Sequence, residues 1–222
     1  MKEIKFKDSP LYEERFQWKS RRQNTLFILV LAMFVLLVLV VRAYWECAYG
    51  GVQVSGSSME RTLQSGDKLL VKKTGWWYRA DYGDVIVVSV DDYSEWEGRL
   101  DSKGKQVRFL IKRLIAKAGD TVYCENGTVY LKKSWENEFT ALDEPYAYYL
   151  GQASSYDFGV YELQEGEIFF LGDNRQNSQD SRYKEDGSQL GYLYKESDIY
   201  GVVPDWAIEY KSTLEGVFFR GD

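Results

Sequence analysis

A chain of 222 residues that is 45% apolar and 16% aromatic is long enough to bury a core and is not disordered. It contains no histidine, which excludes Ser-His-Asp and Cys-His catalysis and the commonest zinc sites and leaves acid-base chemistry to Asp, Glu, Lys, Tyr or Cys. The net charge of −6 is uneven: residues 1–24 carry seven basic and four acidic side chains, or +3, which leaves −9 on the rest and argues against nucleic acid as a partner.

Thr25–Val41 is a run of 17 residues without a charge, about 25 Å long as a helix. With its flanks it predicts a transmembrane anchor over residues 25–43, preceded by a cytoplasmic tail, 1–24. Lys19, Arg21 and Arg22 stand just before the run, against Arg42 and then Glu46 after it. This bias keeps the N-terminus in the cytoplasm and puts residues 44–222 outside. Trp18, Tyr44 and Trp45 suit the interfacial belts, and Arg42 can snorkel. The run is longer than a signal-peptide core, so an uncleaved anchor is expected.

From Gly50 onward the helical signal stops, and Gly-Asp pairs punctuate apolar runs at Gly66-Asp67, Gly83-Asp84, Gly119-Asp120 and Gly172-Asp173. Strands are expected at Val52–Ser55, Lys68–Lys73, Asp84–Val90, Val107–Ala116 and Glu167–Leu171. Thr121–Leu131 reads as a hairpin turning on Asn126-Gly127. The fold class is mainly β, an antiparallel, barrel-like sheet domain behind one N-terminal helix. Residues 91–106 and 134–157 are placed in loops or an excursion from the main sheet. Trp76-Trp77-Tyr78 is read either as a packed corner or as an apolar lip on the membrane surface. Cys47 and Cys124 are taken as free thiols, too few for a disulfide framework or a cysteine metal site; no metal or cofactor is expected.

Three stretches carry candidate chemistry. Gly56-Ser57-Ser58 is a turn after a short strand. In Val107–Ala116, Lys112 shares a strand face with Leu110 and Leu114, so its ammonium faces desolvation. Desolvation lowers a lysine pKa and frees the amine to act as a base near neutral pH, which a serine requires where histidine is absent; taken alone, the segment better suits a lysine that snorkels at a sheet edge. Leu171–Arg182, Leu-Gly-Asp-Asn-Arg-Gln-Asn-Ser-Gln-Asp-Ser-Arg, is too polar to bury cheaply and follows an apolar strand, as a functional loop would.

Together these stretches resemble the bacterial type I signal peptidases, membrane-bound Ser-Lys proteases. Gly56 to Leu63 is similar to the nucleophile box, Gly83–Val87 to the next, Lys112-Arg113 through Gly119-Asp120 to the Lys-Arg box, and Gly172–Arg182 to the last. The resemblance covers residues 25–210. It implies Ser58 as nucleophile and Lys112 as base, with Ser178 orienting the amine. It also implies ion pairs of Asp173 with Arg113 and of Asp180 with Arg182. The Ser58 N–H would be one oxyanion donor; Gly56 leaves the second unassigned. Val52, Gln53, Val54, Met59, Leu63, Leu110 and Ile111 would line apolar pockets for small residues before the cut bond, with the peptide added as a strand.

The implied partners are preprotein signal peptides and a lipid bilayer, in the cell membrane of a bacterium, by chain size a Gram-positive one. Arg61 departs from the family's usual proline and removes a rigid φ beside the nucleophile. Lys117-Ala118 replaces Leu-Pro. Arg61 also favours an alternative, a catalytically silent, membrane-tethered binding protein that retains the fold. A self-processing Ser-Lys protease related to SOS repressors explains neither the anchor nor the last box.

Overall fold

The structure is a computed structural model that describes residues 10–75, 78–90, 100, 104, 106, 108–149, 156–182 and 194–213, with side chains from Arg22 onward. It divides into two compact units, Met1–Cys47 and Ala48–Asp222. The first holds helix α1, Pro10–Ala48. Proline suits the first turn of a helix, where an N–H lacks a partner in any case, and Gly50-Gly51 follows the end. The helix thus extends beyond the 25–43 span at both ends. From Arg22 to Ala48 it is long and apolar enough to cross a membrane, and Leu26 to Val41 expose their apolar side chains.

The second unit is β-rich, in keeping with the expected class. Its strands are β1 (Tyr49–Gln53), β2 (Lys68–Lys73), β3 (Val85–Ser89), β4 (Phe109–Ala116), β5 (Thr121–Glu125), β6 (Thr128–Lys132), β7 (Thr140–Ala141), β8 (Phe158–Glu162), β9 (Glu167–Leu171), β10 (Tyr194–Lys195) and β11 (Ile199–Val203), with a short helix α2 (Asp205–Glu209) at the end. The larger sheet runs β1-β2-β11-β3-β4-β9-β10 and the smaller β7-β6-β5-β8, with every pair antiparallel. Among the described residues the larger sheet has β1 and β10 at its edges. Register shifts at Ile199/Gly201 and Leu114/Ala116 bend it.

Alternation explains why the central strands read as unbroken apolar runs. Ile86 and Val88 pack into one cluster with Leu110, Leu114 and Phe170, while Val85 and Val87 pack into another with Met59, Leu63 and Val203. Ile168 and Phe170 likewise face the first cluster, and Phe169 and Leu171 face a third that joins the smaller sheet. With both faces covered, neither strand needs a polar side. The β5–β6 hairpin turns on Asn126 (φ 51°) and Gly127 (φ 77°), both in the left-handed region a type I′ turn demands.

Four strands went unread in sequence: β7, β8, β10 and β11. The first strand begins at Tyr49 and ends at Gln53, earlier than the Val52–Ser55 expected. The 134–157 stretch is an excursion that supplies edge strand β7 to the smaller sheet. Trp76, Trp77 and most of 91–106 lie outside the described residues. Cys47 is exposed and Cys124 buried, both unpaired.

Candidate active site

Ser58 sits in a turn closed by Glu60 N–H to Ser57 O (3.1 Å), Thr62 N–H to Met59 O (3.1 Å) and Leu63 N–H to Met59 O (2.7 Å). Met59 and Leu63 pin the turn from below, packed in the apolar cluster with Val54. Sequence reasoning gave Val54, Met59 and Leu63 to substrate pockets; Leu63 is 0% and Met59 1% exposed, and both pack with Val54 in the apolar cluster beneath the turn. Leu110 and Val54 are buried as well. Val52 and Ile111 are half-buried and Gln53 is exposed, so these three keep accessible surface.

The Lys112 Nζ lies 2.8 Å from Ser58 Oγ and 3.0 Å from Ile111 O. Its side chain comes up from β4 among Leu110, Leu114 and their apolar neighbours, and the residue is 3% exposed. Burial is the main cause that lowers its pKa to about 8; Asp180 and Asp173 oppose the fall, and Arg182 adds to it. A lysine of this kind is substantially neutral at slightly alkaline pH, with its lone pair within reach of a hydroxyl proton.

The loop after β9 closes over this pair. Arg113 grips Asp173 with two hydrogen bonds, Nε to Oδ1 at 2.8 Å and Nη2 to Oδ2 at 2.7 Å. Arg182 grips Asp180 in the same way at 2.7 and 3.0 Å. Burial works to raise the Asp180 pKa, but Arg182 and the Gly172 N–H outweigh it and hold it below the usual carboxylate range. The Asp180 carboxylate is therefore ionised at neutral pH, a fixed negative charge near the amine. Thr62 Oγ1 donates to Asp173 Oδ2, tying the Ser58 turn to this loop.

Ser178 is placed differently from its implied role. Its Oγ is buried and takes part in no well-formed hydrogen bond, although it leans toward Asp180 closely enough to help lower that carboxyl. No hydrogen bond joins it to Lys112. Instead the Ser178 side chain and the Ser58 carbonyl both lie against Gly172, where an added Cβ would meet Ser178 Oγ at 2.2 Å and Ser58 O at 2.6 Å.

Residues that sequence reasoning left without a role also converge here. The Asn174 N–H donates to Ser58 O at 3.0 Å, and its Nδ2 to Ser57 O at 3.1 Å. Asn177 Nδ2 donates to Ser57 Oγ at 2.6 Å. Their signal was the density of amides in the 171–182 run.

Arg61 has φ +83°, a left-handed conformation that proline, fixed near −65°, cannot adopt. The departure from the family's proline is thus a differently wound turn, not merely a looser one. Its guanidinium rests over the Tyr148 ring, 4.8 Å from the centroid. Replacing Arg61 with Gly relieves the strained φ and is expected to raise stability by up to about 1 kcal/mol, a few degrees in Tm. Arg61→Pro is expected to lower it by more. Paired thermal melts decide this, and a proline variant as stable as the parent would contradict it.

The family profile described as "Signal peptidase, peptidase S26" matches residues 25–206. The chain is 34% identical over 170 residues to Signal peptidase I of Bacillus licheniformis, covering 73% of this chain and 81% of that protein. It is 30% identical over 194 residues to Signal peptidase I P of Bacillus subtilis subsp. natto, covering 84% and 91%. Among solved structures, the crystal structure of a signal peptidase I from Enterococcus faecalis V583 is 24% identical and overlays at TM-score 0.40, covering 57% of this chain and 98% of that one.

Proposed function

Because the chain belongs to the signal peptidase family of S26 peptidases and is a serine endopeptidase, we propose that Ser58 is its nucleophile and Lys112 its general base, acting to remove signal peptides from exported preproteins. The observation that carries this reading is the 2.8 Å approach of a buried amine to the Ser58 hydroxyl. Neutral Lys112 takes the hydroxyl proton as Ser58 Oγ bonds to the carbonyl carbon of the small residue before the cut bond. Lys112 then gives that proton to the leaving amine as the C–N bond breaks. Water, deprotonated by Lys112, then adds to the acyl carbon, and Lys112 returns that proton to Ser58 Oγ as the ester C–O bond breaks.

The Ser58 N–H donates to no group among the described residues and is available to the oxyanion. Residues 109–112 of β4 pair with β3 on one side, while the β9 ladder begins only at Arg113. Among the described residues that second side is open beside Lys112, and an extended peptide fits there as an added strand. Val52 and Ile111 offer the apolar surface for the small side chains of an Ala-x-Ala sequence, with Gln53 at the rim. Asp173 with Arg113 and Asp180 with Arg182 brace the site, and Ser178 packs beneath the nucleophile.

Residues 25–43 are assigned to the bilayer, 1–24 to the cytoplasm and 44–222 to the outside, in a Gram-positive membrane. Lys19, Arg21 and Arg22, just before the apolar run, support the orientation, and the exposed apolar side chains of Leu26–Val41 support the tether. Tethering raises the effective concentration of substrates whose signal helices share the membrane. Full-length protein in liposomes is expected to cut a peptide bearing Ala-x-Ala, and Ser58→Ala to leave it intact. Failure of the wild type on several such peptides would leave a silent scaffold.

A further inference from the structure

We propose that Glu144 is a positioning residue for the Ser58–Lys112 pair, acting through Arg175 on the backbone of residues 172–175 against which Ser58 packs. The inference rests on the reading of Ser58 and Lys112 given above. Glu144 comes from the excursion after β6, a stretch that the peptidase mechanism does not otherwise use.

Arg175 is buried and every guanidinium nitrogen is committed. Nη1 donates to Glu144 Oε2 and to the Tyr156 hydroxyl, each at 3.0 Å; Nη2 donates to Glu144 Oε1 at 2.5 Å; Nε donates to Gly172 O at 3.0 Å. Among the described residues Glu144 is the one carboxylate on this cation. The two side chains are 0% and 7% exposed, so neither partner can be replaced by water without cost. Burial disfavours the Arg175 charge, yet Glu144 outweighs burial and raises the pKa.

The same segment also brackets the loop through its backbone. The Tyr148 N–H donates to Asp173 O at 2.7 Å, and the Arg175 N–H to Tyr148 O at 2.9 Å. The bracketed residues in turn hold Ser58: the Asn174 N–H takes its carbonyl, and Gly172 lies in contact with that oxygen. Arg182 Nη2, whose guanidinium holds Asp180, donates to Arg175 O at 2.7 Å. A shift at Arg175 is therefore carried both to the nucleophile and to the carboxylate that most favours the charged form of Lys112.

Glu144→Gln keeps the shape but turns an amide donor toward a donor and leaves the Arg175 charge unneutralised. The uncompensated Arg175 cation, joined through its carbonyl to the Arg182 that holds Asp180, then disfavours the Lys112 ammonium. In the full-length protein, Glu144→Gln is expected to lower kcat about 10- to 100-fold with KM within about twofold, and to move the acidic limb of the pH–rate profile to lower pH. Glu144→Asp, which keeps the charge, is expected to restore the limb and part of kcat. A folded Glu144→Gln enzyme with wild-type kcat and limb overturns the proposal, as does a loss that tracks only the unfolded fraction. Should Glu144→Gln fail to fold, Tyr146→Phe decides. It removes the hydroxyl that donates to Glu144 Oε1 at 3.2 Å, and it should lower kcat about two- to fivefold; an unchanged kcat overturns the proposal. A wild type that cuts no peptide would refute the Ser58–Lys112 reading itself, a result distinct from either outcome.

Discussion

Lys112→Met is expected to lower kcat by on the order of 10^4-fold or more while the protein stays folded, with a Tm at pH 7 at or above that of the wild type. The activity loss follows from chemistry: without histidine in the chain, the amine 2.8 Å from Ser58 Oγ is the one base within reach of the hydroxyl among the described residues. The stability gain follows from burial. A lysine whose pKa falls from 10.5 to about 8 on folding is held in the folded state at a cost of about 3 kcal/mol when protonated. Methionine has a similar length, packs among Leu110 and Leu114, and removes that cost.

Linkage fixes the sign of the pH dependence. Between pH 8 and 10.5 the unfolded chain binds a proton at this lysine that the folded chain does not, so wild-type stability rises with pH across that window. Below pH 8 the full penalty is present. The methionine variant should lose that slope, and melts of both proteins across the window check it. A variant that melts well below the wild type at pH 7 would mean that the lysine is not the desolvated group described.

Gly172→Ala is expected to lower kcat by about 100-fold or more with little change in KM. Gly172 has no unusual φ among the glycines in the left-handed region, so backbone freedom is not the reason for it. Contact is. A methyl there would stand 2.2 Å from Ser178 Oγ, 2.5 Å from Ser178 Cβ and 2.6 Å from the Ser58 carbonyl. Ser178 can swing, but the Ser58 carbonyl is backbone, so relief requires Ser58 to move relative to Lys112. The proposed peptide site along β1 and β4 is not touched, which is why the effect should fall on kcat. Steady-state kinetics of the folded variant test this, and a purely KM effect would place Gly172 in substrate binding.

The parts of this molecule legible in sequence were those where one local rule dominates. The uncharged run Thr25–Val41, the Asn126-Gly127 turn and the apolar strands Lys68–Lys73 and Glu167–Leu171 need no tertiary information. Lys112 stood out because charge interrupts a buried pattern, but the pattern alone better suits a snorkelling lysine, and its role came from the resemblance of the Lys-Arg box. The edge strand Thr140–Ala141 was not, because two residues carry no periodicity and the pairing is supplied by β6. Ile199–Val203 lies between β2 and β3, and nothing local marks a late segment as a central strand. The burial of Met59 and Leu63 could not be separated from a role in a pocket wall, since both require apolar side chains beside the nucleophile. The links from Glu144 and Tyr148 to the loop after β9 are also long-range, across more than twenty residues, and only the folded chain brings them together.

The most direct test is to titrate the Lys112 amine by NMR in full-length protein carrying labelled lysine, and to compare it with the acidic limb of kcat/KM. The proposed chemistry predicts that the two coincide, with a midpoint near the value of about 8 that burial imposes. An amine that titrates near the ordinary lysine value, or activity that stays flat as pH falls through 8 to 6, would contradict a neutral lysine as the base for Ser58.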